Sequence, residues 1–147
     1  IKRKISSLFL LDIIACVSPI GIFFGRIANF INGELVGKVT NASWGVIFPN
    51  IDMVARHPSQ IYEALLEGIV LFFILNIFIF KKNYKTGSCS FLFLIFYGFF
   101  RIFSEIFREP DVQLGYLFNF FSMGTILSFL MIISGIIIFV FIRKNEI

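Results

Sequence analysis

Three short stretches of this sequence gather residue types that bind anions or move protons. In the last of them Arg101, Glu105 and Arg108 recur at intervals of four and three, which puts all three on one helix face and lets Arg101 pair with Glu105. Two accounts fit this pattern. Either a charge-neutralised pair lets a short apolar segment enter lipid, or the glutamate steadies an arginine whose forked guanidinium grips an anion such as a phosphate. The density of charge at one end of the segment favours the second account. In the first stretch Arg26, Asn29 and Gly33 share a helix face, and the run continues through Asn32, Glu34 and Gly37. An arginine in a span costs about 2.5–3.5 kcal/mol at mid-membrane and less towards the interface, so it either snorkels to the headgroups or faces a polar cavity. Arg26 taken alone fits snorkelling. Asn29, Asn32 and Glu34 beside it favour a site, because snorkelling does not require them. The middle stretch runs from Arg56 through His57 and Pro58 to Glu63 and on to Glu67, with Gln60, Glu63 and Glu67 on one face. Two carboxylates on an apolar helix need a buried reason, and pairing with an arginine of another segment stands beside catalysis as an equal reading. His57, the only histidine, suits a cap or a hydrogen-bonding partner at a helix start better than a base or a metal ligand.

The elements that carry these residues follow from composition. Of 147 residues 58% are hydrophobic and 22 are Phe, too apolar for a water-covered surface and right for lipid. Four stretches, 8–31, 61–80, 91–107 and 117–142, approach the roughly 20 residues that cross a bilayer. Backbone groups in hydrocarbon must bond internally, so these are helices. The expected fold is an all-α integral membrane protein of about four transmembrane helices, forming a single transmembrane domain over residues 1–147. Basic clusters at Lys2–Arg3–Lys4, at Lys81, Lys82 and Lys85, and at Arg143–Lys144 fall on one side of four alternating spans, the cytoplasmic side by the positive-inside rule. The connections 32–60 and 108–116 then face outward. The first is a long outer-face loop between spans one and two, and Trp44 and Phe48 suit it to lie on the membrane. Gly124, Ser128 and Gly135 offer close packing for the last span.

Other classes fall away. A formal net charge of +4 comes largely from residues flanking apolar segments and forms no stripe, so nucleic acid is not an expected partner. The opening resembles a signal peptide, but its apolar run is too long and lacks a small-residue cleavage site. Residue 1 is Ile and a basic tripeptide follows, which reads as a start partway through a longer protein. Cys16 and Cys89 have neither C-x-x-C spacing nor a nearby histidine and are expected to be structural.

The motifs GRIANFINGELVGKVT (25–40), RHPSQIYEALLEG (56–68), YGFFRIFSEIFREPD (97–111) and SMG (122–124) resemble the prolipoprotein diacylglyceryl transferase family, the bacterial membrane enzymes that lipidate lipoprotein precursors. They occur in the family's order and touch every span, and the first is close to its signature. The resemblance implies transfer of the diacylglyceryl group from phosphatidylglycerol to the lipobox cysteine thiol of a prolipoprotein signal peptide, releasing glycerol phosphate. It implies a multi-pass enzyme of the bacterial inner membrane with its site towards the periplasmic face; no cofactor is expected, and the lone histidine gives a metal site no support. Arg26, Asn29, Glu34 and Gly37 match the signature's substrate-binding residues; Arg101 and Glu105 match its essential arginine and partner acid. Arg26, Arg101 and Glu105 are thereby the expected catalytic residues, and the nucleophile belongs to the substrate. Ala28 stands where the family usually has Gly, and Val36 where an aromatic is common. The family's N-terminal half, with a histidine motif often assigned to activating the thiol, has no counterpart here, which implies a C-terminal portion that is inactive alone. A different class, a transporter or channel subunit, would also bury arginine–glutamate pairs. It would place them near the midplane or along a path to both faces, whereas here they lie towards the outside, with Asp12 and Asn76 the main exceptions.

Overall fold

Apolar residues with few helix breakers continue long enough in four places to form membrane-length helices, and the computed structural model contains them: Ser7–Asn32, Ser59–Ile79, Ser88–Glu105 and Met123–Lys144. It describes residues 6–82, 84–110, 116–117 and 121–144. The Lys2–Arg3–Lys4 cluster, the side chain of Arg143, and Asp111 at the end of the third motif lie outside the described residues. The first span ends where Gly33 takes the left-handed conformation (φ 68°) and returns its N–H to the carbonyls of Asn29 and Phe30, a turn that glycine makes at little cost.

The expected fourth span, 117–142, starts later than anticipated. Tyr116–Leu117 pairs antiparallel with Phe121–Ser122, and the helix begins only at Met123. The reason is local. Aromatic residues suit a strand as well as a helix, and the Thr125 N–H donates to Ser122 Oγ at 3.1 Å, which makes Ser122 the N-cap.

The spans alternate in direction. At one end, a Cβ built on Gly87 would lie 3.7 Å from a Leu8 methyl and 2.5 Å from one of Ile142, so the start of span one, the start of span three and the close of span four meet there. Asp12 ties this end together. Fully buried, its carboxylate accepts from Gly87 N–H at 2.5 Å, from the N–H and hydroxyl of Ser90 at 2.7 Å each, and from Tyr84. A carboxylate from one helix thus caps the N-terminus of another, where it also meets the positive end of the helix dipole. Gly87, with φ 94°, gives the turn that aims its N–H at Asp12. Burial and the neighbouring Asp12 push the Tyr84 phenol above its ordinary pKa, so it stays a donor. Asp12→Ala leaves these donors buried without an acceptor, and a loss of about 3 kcal/mol is expected. Thermal unfolding in detergent, compared with Asp12→Asn, which restores only part of the acceptor set, measures it.

The interior changes character along its length. Near the Asp12 end, Ala15, Cys16, Leu71, Leu75 and Cys89 form an apolar core against Phe93, Phe96 and Phe100. Asn76 bridges spans one and two by donating to the Cys16 carbonyl at 3.3 Å. Both cysteines are free and buried. Outward-facing side chains such as Phe24, Ile77, Ile137 and Phe141 are exposed, as a lipid-facing surface requires. Spans three and four approach through small residues: a Cβ on Gly98 would meet the Ser128 carbonyl at 2.8 Å, and one on Gly135 the Phe91 carbonyl at 3.0 Å. Span two carries π-helical turns over Ala64–Val70. Gly68, inside them, abuts Phe23 so closely that a Cβ would lie 2.7 Å from that of Phe23, and this contact draws Arg26 of span one onto span two.

The long connection folds back over the end opposite Asp12. Val46–Ile47 pairs with Ala55–Arg56, and residues 36–40 bridge to both 55–57 and 107–109: Gly37 N–H donates to His57 O at 3.1 Å, and Lys38 N–H to Phe107 O at 2.9 Å. Arg56 binds this cap, donating to Asp52 Oδ2 at 2.6 Å, to Gly37 O at 3.1 Å and to Glu109 at 3.4 Å. The Arg56 guanidinium holds the Asp52 carboxyl below the usual carboxylate range, and Asp52 in turn raises Arg56.

Candidate functional site

At the end opposite Asp12 the helices bring three arginines and three glutamates into one cluster. Each sits where its element dictates. Arg26 lies one turn beyond the Phe23–Gly68 contact; Glu63 and Glu67 share the inward face of span two; Arg101 and Glu105 occupy successive turns of span three, and Arg108 follows its end. Glu63, fully buried, is the hub: its Oε1 accepts from Arg101 Nη1 at 2.5 Å and from Arg108 Nη1 at 3.3 Å, and its Oε2 lies 3.0 Å from Arg26 Nη1. Glu67, also fully buried, accepts from Arg26 Nη2 at 3.2 Å and stands 3.8 Å from Arg101. Glu105 Oε2 is 2.9 Å from Arg101 Nη2.

Among the described residues three positive and three negative groups balance, which is what makes the cluster tolerable in a medium where a lone ion is expensive. The pairing reading of Glu63 is thus correct as geometry, and it reaches further than one arginine. Glu67, on the same helix face, is its second acid.

A cavity of about 370 Å³ opens beside the cluster. Arg26, Arg101, Glu105 and Arg108 give it charged lining, and Leu127 and Met131 of span four give it apolar lining. Such a space suits an amphipathic ligand with an anionic head and an apolar body. Tyr97 also lines it. Its position four residues before Arg101 places it on the same helix face.

The remaining signature residues lie apart from the ion cluster. Asn29 is half-buried, and its carbonyl accepts the Glu34 N–H at 2.8 Å, closing span one. The Glu34 side chain is exposed while its carbonyl accepts from Gln60 Nε2 at 2.6 Å. Glu34 lines a second cavity, of about 520 Å³, with Arg56 and Glu109. Gly37 stands at a crossing of three chain segments, where a Cβ would collide with the His57 carbonyl and lie 2.7 Å from that of Phe107. Leu35 lines both cavities and holds a positive φ of 53°, a conformation that costs a branched side chain energy and recurs at functional sites. His57 lies outside the cluster, its Nδ1 3.2 Å from the Tyr62 hydroxyl. Tyr62 in turn accepts from Trp44 Nε1 at 2.9 Å.

Fold and site together define a multi-pass helical membrane protein with a charge-balanced arginine–glutamate centre beside an amphipathic cavity. A family model described as prolipoprotein diacylglyceryl transferase matches residues 1–141, and the chain belongs to that family. It is 60% identical over 137 residues to the phosphatidylglycerol–prolipoprotein diacylglyceryl transferase of Rickettsia bellii (strain OSU 85-389), which covers 92% of this chain and 52% of that protein. The enzyme of the same name from Rickettsia akari (strain Hartford) is 60% identical over 136 residues, 91% of this chain and 52% of the relative. That from Rickettsia rickettsii (strain Sheila Smith) is 58% identical over 136 residues, with the same coverage. The chain spans about half the length of the curated relatives it matches.

Proposed function

We propose that this chain is the C-terminal, phosphate-binding portion of a longer polytopic transferase that moves the diacylglyceryl group of phosphatidylglycerol to the lipobox cysteine thiol of a prolipoprotein. The observation that carries this reading is the convergence of Arg26 and Arg101 on one cavity that Leu127 and Met131 also line. The two guanidiniums hold the lipid phosphate and offset charge on the departing glycerol phosphate, which is electrostatic stabilisation in a water-poor site. The apolar wall takes the adjoining glyceryl ester region. Asn29, Glu34 and Gly37 shape the rim of the substrate site by fixing the end of span one and the cap above it. The thiol is the nucleophile and comes from the substrate.

Orientation follows from Lys81, Lys82 and Lys85 at the Asp12 end. The positive-inside rule puts that end in the cytoplasm of a bacterium and the arginine centre at the periplasmic face of the inner membrane. A transport path to both faces fits less well, since Asp12 and Asn76 are taken up in hydrogen bonds between helices.

Membranes containing the complete protein are expected to transfer labelled diacylglycerol from phosphatidylglycerol to a lipobox peptide, and not to the same peptide with serine for cysteine. Well-folded protein that leaves the cysteine peptide unlabelled would reject the transferase reading.

A further inference from the structure

Among the described residues the arginine centre matches three arginines with three glutamates, so a phosphate that binds there competes with a carboxylate, and the three glutamates are not equally held. Glu63 and Glu67 are fully buried behind the arginines and accept directed hydrogen bonds from Arg101, Arg108 and Arg26. Glu105 differs in its position. Its Oε2 comes within 2.9 Å of Arg101 Nη2 and, like Glu63 Oε2 and Glu67 Oε1, lacks hydrogen-bond alignment with any group among the described residues. It also stands at the cavity wall, where span four presents Gly124: a Cβ there would lie 3.0 and 3.1 Å from the Glu105 oxygens and 3.2 Å from Arg101 Nη2. Of the three acids in the cluster, Glu105 is the one with exposed side-chain surface, 12% against none for Glu63 and Glu67.

Resting on the transferase reading above, we propose that the lipid phosphate takes the place of Glu105 on Arg101, and that the displaced Glu105 carboxylate then receives the proton of the substrate thiol. The step balances. The thiol proton passes to Glu105, and sulfur bonds to the glyceryl carbon attached to the phosphate oxygen. That carbon–oxygen bond breaks with its electron pair staying on oxygen, and glycerol phosphate leaves with one more negative charge, opposite Arg101. The charge surrendered by Glu105 is the charge gained by the leaving group, so the centre's total is unchanged. Around Glu105 the groups that set this exchange are Arg101 on its own helix, Arg108 just beyond, Arg26 from span one, and Glu63 and Glu67 from span two.

Exchange and simple positioning predict opposite results. If Glu105 only steadies Arg101 for binding, Glu105→Gln weakens lipid binding. If phosphate must displace it, Glu105→Gln binds phosphatidylglycerol about tenfold more tightly, the scale of one charge-assisted hydrogen bond, while transfer falls by at least about 100-fold for want of the proton acceptor. The measurement is titration of nitroxide-labelled phosphatidylglycerol against the complete protein in phosphatidylcholine nanodiscs, with labelled diacylglycerol as the phosphate-free control. Tighter binding specific to phosphatidylglycerol, joined to lost transfer, supports the exchange. Unchanged or weaker binding by the variant, with a wild type that binds and transfers, overturns the exchange and leaves the transferase reading standing. A wild type that binds no phosphatidylglycerol overturns both. Infrared spectra of the wild type give a test independent of the variant's folding: phosphatidylglycerol shifts a carboxylate stretch and diacylglycerol does not, and a band unmoved by either overturns the exchange.

Discussion

Arg101→Ala is expected to reduce diacylglyceryl transfer by about 10²–10³-fold, the loss that follows removal of one preorganised donor to a developing anion. Arg101 is the residue on which the centre converges, lying 2.5 Å from Glu63, 2.9 Å from Glu105 and 3.8 Å from Glu67. Its removal strands Glu105 but leaves Glu63 with Arg26 and Arg108, so the activity loss should exceed any loss of fold. Arg101→Lys sharpens the expectation. An ammonium keeps the charge but cannot serve Glu63 and an incoming phosphate with a planar fork, and most of the activity should stay lost. Transfer assays at matched protein level, with thermal unfolding of each variant, separate the two effects. An Arg101→Ala enzyme within a few-fold of wild type would remove Arg101 from the reacting centre.

The largest effect on stability is expected from Glu63→Ala. This acid is fully buried and lies within 3.3 Å of three guanidinium groups. Deleting it leaves like charges facing one another in a low-dielectric interior, and a loss of about 3–5 kcal/mol follows from comparable broken buried pairs. Glu63→Gln keeps acceptor oxygen and shape and should lose less. Unfolding in detergent, followed by loss of helical signal on heating, provides the comparison. An alanine variant as stable as wild type would mean that the arginines find other partners, contrary to the hub arrangement.

Much of the fold was legible because hydrophobic length is a local property. The bounds of spans one and two lie within two residues of those expected, and Arg101–Glu105 pairing follows from helical spacing alone. The start of span four was not legible in the same way, since the aromatic residues before Met123 are as apolar in a strand as in a helix, and the decision fell to a capping bond from Thr125 to Ser122. The candidate site divides similarly. Arg26, Arg101 and Glu105 announced themselves as charges that hydrocarbon would otherwise reject. What Glu63 and Glu67 do depends on which arginines reach them, and that rests on the Phe23–Gly68 contact, a tertiary fact with no local signature. Gly37 and Glu34 belong to the signature yet stand away from the ions, because spacing along a chain says nothing of how a loop folds back.

The balanced charges also bear on how the protein enters its membrane. Span two carries two acids and no base within Ser59–Ile79, whereas the arginines that neutralise them reside on spans one and three. Each unpaired ion at mid-membrane carries an insertion cost of about 2.5–3.5 kcal/mol, less near an interface, so span two on its own is a poor candidate for release into lipid. Its delivery from the translocation machinery is therefore coupled to its neighbours. Span one precedes span two in synthesis and offers Arg26, but the acids are fully matched only when span three has emerged with Arg101. Helices that fail to meet would thus leave an unmatched charge in the lipid.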